Sequence, residues 1–189
     1  MPITPDTKDW TWVLDRPCPE CGFVGPDVVA AQVPAMVRRA AQAWHNVLAS
    51  TATVTPCPSE DRWSTLEYGC HVRDVFRIFQ ARLALMLIQA DPQFPNWDQD
   101  KTAADGRYDR QDPADVAAQL REAAERLAVD LEQVPPQSRG RTGRRDDGAR
   151  FTVDSFARYL IHDPIHHLHD VGAPLCDHPP GGAVKHRLL

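Results

Sequence analysis

Four of the chain's eight histidines fall within residues 162–169, inside the segment YLIHDPIHHLHDVG. At about 100° per residue, a helix would carry His162, His166 and His169 on one face while His167 points elsewhere. Two imidazoles at i and i+4 can share one ion. They suit zinc, nickel, copper or iron, because a turn of helix holds the two nitrogens at a fixed separation. The ordinary reading of the same run is one or two core histidines bonded to carbonyls and the others in water. Pro164 lies within it and removes the N–H that would have reached the carbonyl of Leu160, which predicts a local kink or bulge.

A second set of donors is Cys18 and Cys21 in CPEC. The spacing is that of a zinc knuckle, but one such pair is half a site. It could be a second zinc site completed by Cys57, Cys176 or a histidine. It could equally be a redox pair, or a tight turn with two partly buried thiols. Cys70 points about 100° away from its neighbour His71 on a helix and reads as a small core residue. Five cysteines, an odd number, argue against a disulfide framework.

The elements that must position these groups are helices. Pro34 suits a first turn, and Val37, Ala40, Trp44, Val47 and Leu48 keep helical spacing to about Ala49. Ser64 and Glu67 form a capping box that opens a second helix running to about Gln89, with Val72, Phe76, Phe79 and Leu83 as its stripe. Asp112 and Pro113 start a third, which Pro135 and Pro136 end. Thr152 caps a fourth that carries the histidines and stops at Gly172. No strand-like alternation of any length is present. The expected fold is all-α, an up-down four-helix bundle in one domain, 1–189, with an irregular lead-in over 1–26 and a Pro-rich tail over 173–189. Trp10 and Trp12 should pack the lead-in onto the body. In such a bundle a third ligand comes from another helix, and His71 is the inward-facing candidate.

The bulk numbers exclude several classes. A net charge of -5 argues against a nucleic-acid binder held by phosphate contacts, although Arg139, Arg141, Arg144, Arg145 and Arg150 make one local basic loop. The start MPITPDTKDW lacks a basic stretch followed by an apolar core, and the longest apolar run, LALMLI, is too short to span a bilayer. A soluble, cytoplasmic protein is expected, with no membrane and no nucleic acid among its partners.

The segments WSTLEYGCH, ending at His71, and HDPIHH, from His162, together resemble the DinB superfamily of bundle proteins over nearly the whole chain. That superfamily includes thiol-dependent S-transferases and isomerases that use mycothiol or bacillithiol. Their divalent metal is held by one residue on helix two and two at i and i+4 on the last helix, so the resemblance implies His71, His162 and His166 as ligands. The lead-in DWTWVLDRPCPECGF resembles an actinobacterial subgroup, which implies mycothiol as the thiol. Members of the maleylpyruvate isomerase branch usually carry Glu where His162 stands. By the same analogy a homodimer is expected.

Three imidazoles around a zinc-like ion, with nickel as the alternative in recombinant material, would leave one position open. A thiol reaching it would lose its proton and attack a small electrophile, whereas water there would make the protein a hydrolase. A metal-binding module without turnover is the third reading. Glu67, Asp163 and Asp170 are candidates for outer partners or proton carriers. His169 could be a fourth ligand, a relay or a polar cap on the cavity. The long polar connection around Trp97 and the arginine segment before the last helix are expected to rim the site. Mycothiol, a polyhydroxylated pseudo-disaccharide joined to acetylated cysteine, would there meet Trp97, Asp98, Asp100, Tyr108, Arg144 and Arg145.

Overall fold

A computed structural model describes residues 9–50, 63–173 and 175. It contains five α-helices: α1 Val33–Ala49, α2 Thr65–Ile88, α3 Gln99–Asp105, α4 Pro113–Glu132 and α5 Val153–Asp170. The four long ones build a four-helix bundle. Their starts follow the caps read from the sequence. Ser64 and Glu67 bond reciprocally at α2, Asp112 accepts from Ala114 and Asp115 at α4, and Thr152 and Ser155 close α5. α5 stays helical through Pro164.

The helices do not pack in simple chain order. α4 has the largest interfaces, with α1 and with α2, and α5 lies against both α2 and α1. The small residues Ala117, Ala123, Ala124 and Ala128 let α4 sit close to its neighbours, while Val116, Leu120, Leu127 and Leu131 fill the core. Trp44 of α1 is fully buried and its indole N–H donates to the carbonyl of Pro164 at 3.1 Å. That bond, with Phe156, Leu160 and Ile161 buried on the same helix, fixes how α5 is rotated about its axis. Burying each such side chain contributes about 1.5–3 kcal/mol.

A small sheet, absent from the sequence reading, ties two loops together. β1 (Gln93–Phe94) pairs parallel with β2 (Thr142–Arg145), which pairs antiparallel with β3 (Arg150–Thr152). Strands of two to four residues are too short for alternation to show. At Gly143 a Cβ would lie 2.8 Å from a Met86 side-chain atom, so only glycine lets β2 approach α2 this closely. The long connection after α2 also holds α3, capped by Asp98. Over residues 9–26 the lead-in holds two short 3-10 turns, Trp10–Leu14 and one beginning at Gly25. Its turns bury Val13, Cys18 and Phe23, and Trp10 stacks on Trp12 and packs on α5.

Candidate metal centres on the last helix

α5 presents two pairs of donors, each spaced i and i+4 and offset from one another by one residue. His162 and His166 face the lead-in. There their ligand atoms, with those of Cys18 and Cys21, all lie within 4.8 Å of one another. Cys18 Sγ is 3.7 Å from His166 Nδ1. Cys18, His162 and His166 are buried, and Trp10 lies against both imidazoles with ring centroids 5.3 and 5.0 Å away. Burial pushes the Cys21 thiol up to about 12, with a further push from Cys18. It lowers His162 to about 4, helped by the adjacent His166, so the imidazole is neutral at neutral pH.

Asp163 and His167 face α2 instead, and their ligand atoms lie within 4.8 Å of one another and of His71. Asp163 Oδ2 is 3.4 Å from His71 Nε2 and 3.8 Å from His167 Nε2. Two donors each 2.0–2.2 Å from a tetrahedral ion lie about 3.4 Å apart, so these separations fit ligand edges better than hydrogen bonds. His71 is buried, sandwiched between Trp97, whose ring is parallel to within 3° at 4.9 Å, and Trp63 at 5.0 Å. Its pKa is lowered by burial, which outweighs Asp163. Burial alone would raise the Asp163 pKa, but His71 and His167 hold it below the usual carboxylate range. The set is therefore two imidazoles, of which burial keeps His71 neutral, and one carboxylate. Its open side is formed by Asp163 and His167, whose side chains are 33% and 19% exposed.

Buried polar atoms without a hydrogen-bond partner concentrate here. Of six among the described residues, three are His162 Nε2, His71 Nδ1 and Asp163 Oδ1. Leaving such atoms unsatisfied costs about 1–3 kcal/mol each, a cost that a cation held by His162 Nε2 would remove, whereas His71 faces Asp163 through Nε2 and its Nδ1 lies on the other side of the ring. The donors present thus fit a divalent metal at both places.

The sequence model of the DinB superfamily matches residues 31–171. The chain belongs to the DinB superfamily. No curated protein matches it. Among solved structures, this DinB-superfamily chain is similar to YfiT from Bacillus subtilis, described as a probable metal-dependent hydrolase with an unusual four-helix bundle topology. The two share 17% identity over 88% of each chain, with a TM-score of 0.58.

Against the DinB expectation, the triad His71, His162 and His166 does not assemble as one set. His162 and His166 join the cysteines, and His71 joins Asp163 and His167. His167, read from the helical face as pointing elsewhere, points at His71, with ring centroids 5.0 Å apart. Asp163 stands among the donors themselves rather than behind them. Asp170 does take the outer position, with Oδ2 2.8 Å from His167 Nδ1. Glu67 does not, because its carboxylate accepts from the Ser64 N–H and hydroxyl in the α2 cap. His169 is exposed, its ring 6.5 Å from that of His166, and is no part of either donor set. Cys70 is buried, as expected of a core residue. Cys57 and Cys176 lie outside the described residues.

The rim residues separate in the same way. Trp97 stacks on His71 and is oriented by its own N–H, which donates to Thr102 Oγ1 at 2.7 Å. Arg145 donates to the Tyr159 hydroxyl at 3.1 Å, one turn of α5 before Asp163. Arg144, next in the strand, projects to the other face and pairs with Asp91 at 3.5 Å. Asp98 is used as the α3 cap. Tyr108 is buried, its hydroxyl donating to Asp74, so it anchors the loop to α2 rather than lining an opening. Asp100 is partly exposed at the start of α3.

Proposed function

We propose that this protein is a cytoplasmic, divalent-metal-dependent enzyme with its reaction centre at His71, Asp163 and His167, and that it joins a low-molecular-weight thiol to a small electrophile. The observation that carries the reading is the convergence of two imidazoles and one carboxylate on a partly exposed side, with His71 Nε2 3.4 Å from Asp163 Oδ2. A divalent cation, zinc or in recombinant material nickel, supplies Lewis-acid chemistry there and lowers the pKa of the thiol or water that reaches it. With two neutral imidazoles and one carboxylate the loaded site carries one net positive charge, which favours an anionic sulfur nucleophile. Asp170 fixes the tautomer of His167 and turns Nε2 inward. Trp97 and Trp63 hold the His71 ring and keep water from its faces.

The choice of mycothiol rests on the resemblance of the lead-in to the actinobacterial subgroup. The isomerase branch carries a carboxylate at the first position of the i, i+4 pair, and Asp163 followed by His167 meets that pattern one residue later than His162. β1 and β2 bring the Trp97 connection and Arg145 to one end of the bundle, where they would contact the sugar hydroxyls. A hydrolase is the second reading. It is favoured by the description of YfiT and by the donor set, since two histidines and a carboxylate also serve hydrolytic zinc sites.

Metal-loaded protein purified without a histidine tag, incubated with mycothiol and a panel of electrophiles under mass detection, tests the reading. A thioether product that disappears in His71→Ala supports it. Hydrolysis without thiol incorporation transfers the site to the second reading. Failure of His71→Ala to alter metal content or turnover overturns both.

A further inference from the structure

We propose that Cys18, Cys21, His162 and His166 bind a structural zinc ion that staples the lead-in to α5, separate from the reaction centre. The four donors are the two halves of a Cys2His2 set, C-x2-C and H-x3-H, brought together across 148 residues between Cys18 and His166. With zinc about 2.3 Å from sulfur and 2.0–2.1 Å from nitrogen, a tetrahedral S–N edge is about 3.6 Å. The Cys18 Sγ to His166 Nδ1 separation is 3.7 Å, too long for a strong hydrogen bond and right for two ligands of one ion.

The backbone around the cysteines is built for the purpose. The Cys18 N–H donates to the Phe23 carbonyl at 2.7 Å and the Gly22 N–H to the Cys18 carbonyl at 2.9 Å, closing a tight loop. Gly22 takes φ +76°, a conformation that favours glycine. Each thiol releases one proton to solvent on binding. Two thiolates, two neutral imidazoles and a divalent cation then sum to zero charge, the condition under which such a group can sit among Phe23, Trp10 and the core.

A disulfide or redox pair accounts for less. It leaves His162 Nε2 buried and unpartnered, and Cys18, 1% exposed, offers no approach to an external disulfide. Four protein donors close the coordination shell, as in structural sites, so the ion has no place for substrate. What it holds is the lead-in, whose described residues contribute no α-helix to the bundle, against the helix that carries the proposed reaction centre. Asp170 links the two, its Oδ2 lying 2.8 Å from His167 Nδ1 and 3.8 Å from His166 Nε2.

The test uses full-length protein loaded with cobalt(II), whose bonds to thiolates give charge-transfer absorption. Wild type and His71→Ala are expected to show the band. Cys21→Ser is expected to lose it, to lose one metal equivalent per chain, and to melt on the order of 10 °C lower. Alkylation of the wild type, which needs no variant to fold, should label Cys18 and Cys21 only after chelation. A cobalt-loaded wild type without the band, or thiols labelled equally before and after chelation, overturns the proposal. Metal content unchanged in His71→Ala would count against the reaction centre and leave this site standing.

Discussion

The two donor sets on α5 differ in every property that decides what a metal site does. One has two sulfurs and two nitrogens, is enclosed by the lead-in, and sums to zero charge with a divalent ion. The other has two nitrogens and a carboxylate, is partly exposed at Asp163 and His167, and with a divalent ion would keep a positive charge and a free position. Since the pairs 162/166 and 163/167 differ by one residue, they differ by about 100° around the helix axis. That rotation decides which partners each meets, the CPEC loop or α2. Donor identity and enclosure, rather than the i, i+4 spacing common to both, are what would separate a structural site from a reactive one.

The largest effect that could break this comparison is the loss of the open site alone. His71→Ala and His167→Ala should each reduce turnover on the order of a thousandfold, the several kcal/mol a catalytic ion contributes, while one metal equivalent stays on the cysteines. Steady-state rates and metal content, measured together, check it. If either variant loses both ions, the sites are not independent. Asp170→Asn sharpens the link between them. It should weaken metal affinity at the open site about 10–100-fold without unloading the cysteines, readable by competition with a chromogenic chelator. Smaller still, Trp97→Ala and Arg145→Ala should raise KM for the thiol several-fold with metal content intact. Unchanged kinetics in both would remove these segments from the substrate path.

The smallest effect lies outside both sites and serves as a control. Tyr108→Phe removes a buried hydrogen bond to Asp74 and should cost about 1–2 kcal/mol of stability at neutral pH, leaving both metals bound. Burial alone would raise the Asp74 pKa, but Arg73 and Tyr108 hold it below the usual range. A carboxylate with a depressed folded pKa stabilises above its unfolded pKa and loses that contribution as pH falls. The penalty of Tyr108→Phe should therefore shrink below about pH 4, which denaturant titrations at two pH values would detect.

The bundle was legible because its helices announce their starts. Ser64 with Glu67, Asp112 with Pro113, and Thr152 are caps whose hydrogen bonds are local, so sequence distance is enough to find them. The sheet was not, since its pairing is long-range and its strands short. The site was half legible. Spacing marked the histidine run, and the capped α2 put His71 in the core. But 162/166 and 163/167 satisfy the same i, i+4 test, and what chooses between them is the rotation of α5. Trp44 on Pro164 and the packing of Leu160 set that rotation from residues distant in sequence. For CPEC the candidate partners lay up to 148 residues from Cys18, and only the folded chain brings His162 and His166 to the two cysteines; Cys57 and Cys176 lie outside the described residues.

The division of α5 into two metal-binding faces is tested most directly by anomalous diffraction at the zinc edge from crystals of the zinc-loaded protein. The account predicts two peaks per chain, one among Cys18, Cys21, His162 and His166 and one among His71, Asp163 and His167. A single peak shared by His71, His162 and His166 would contradict it.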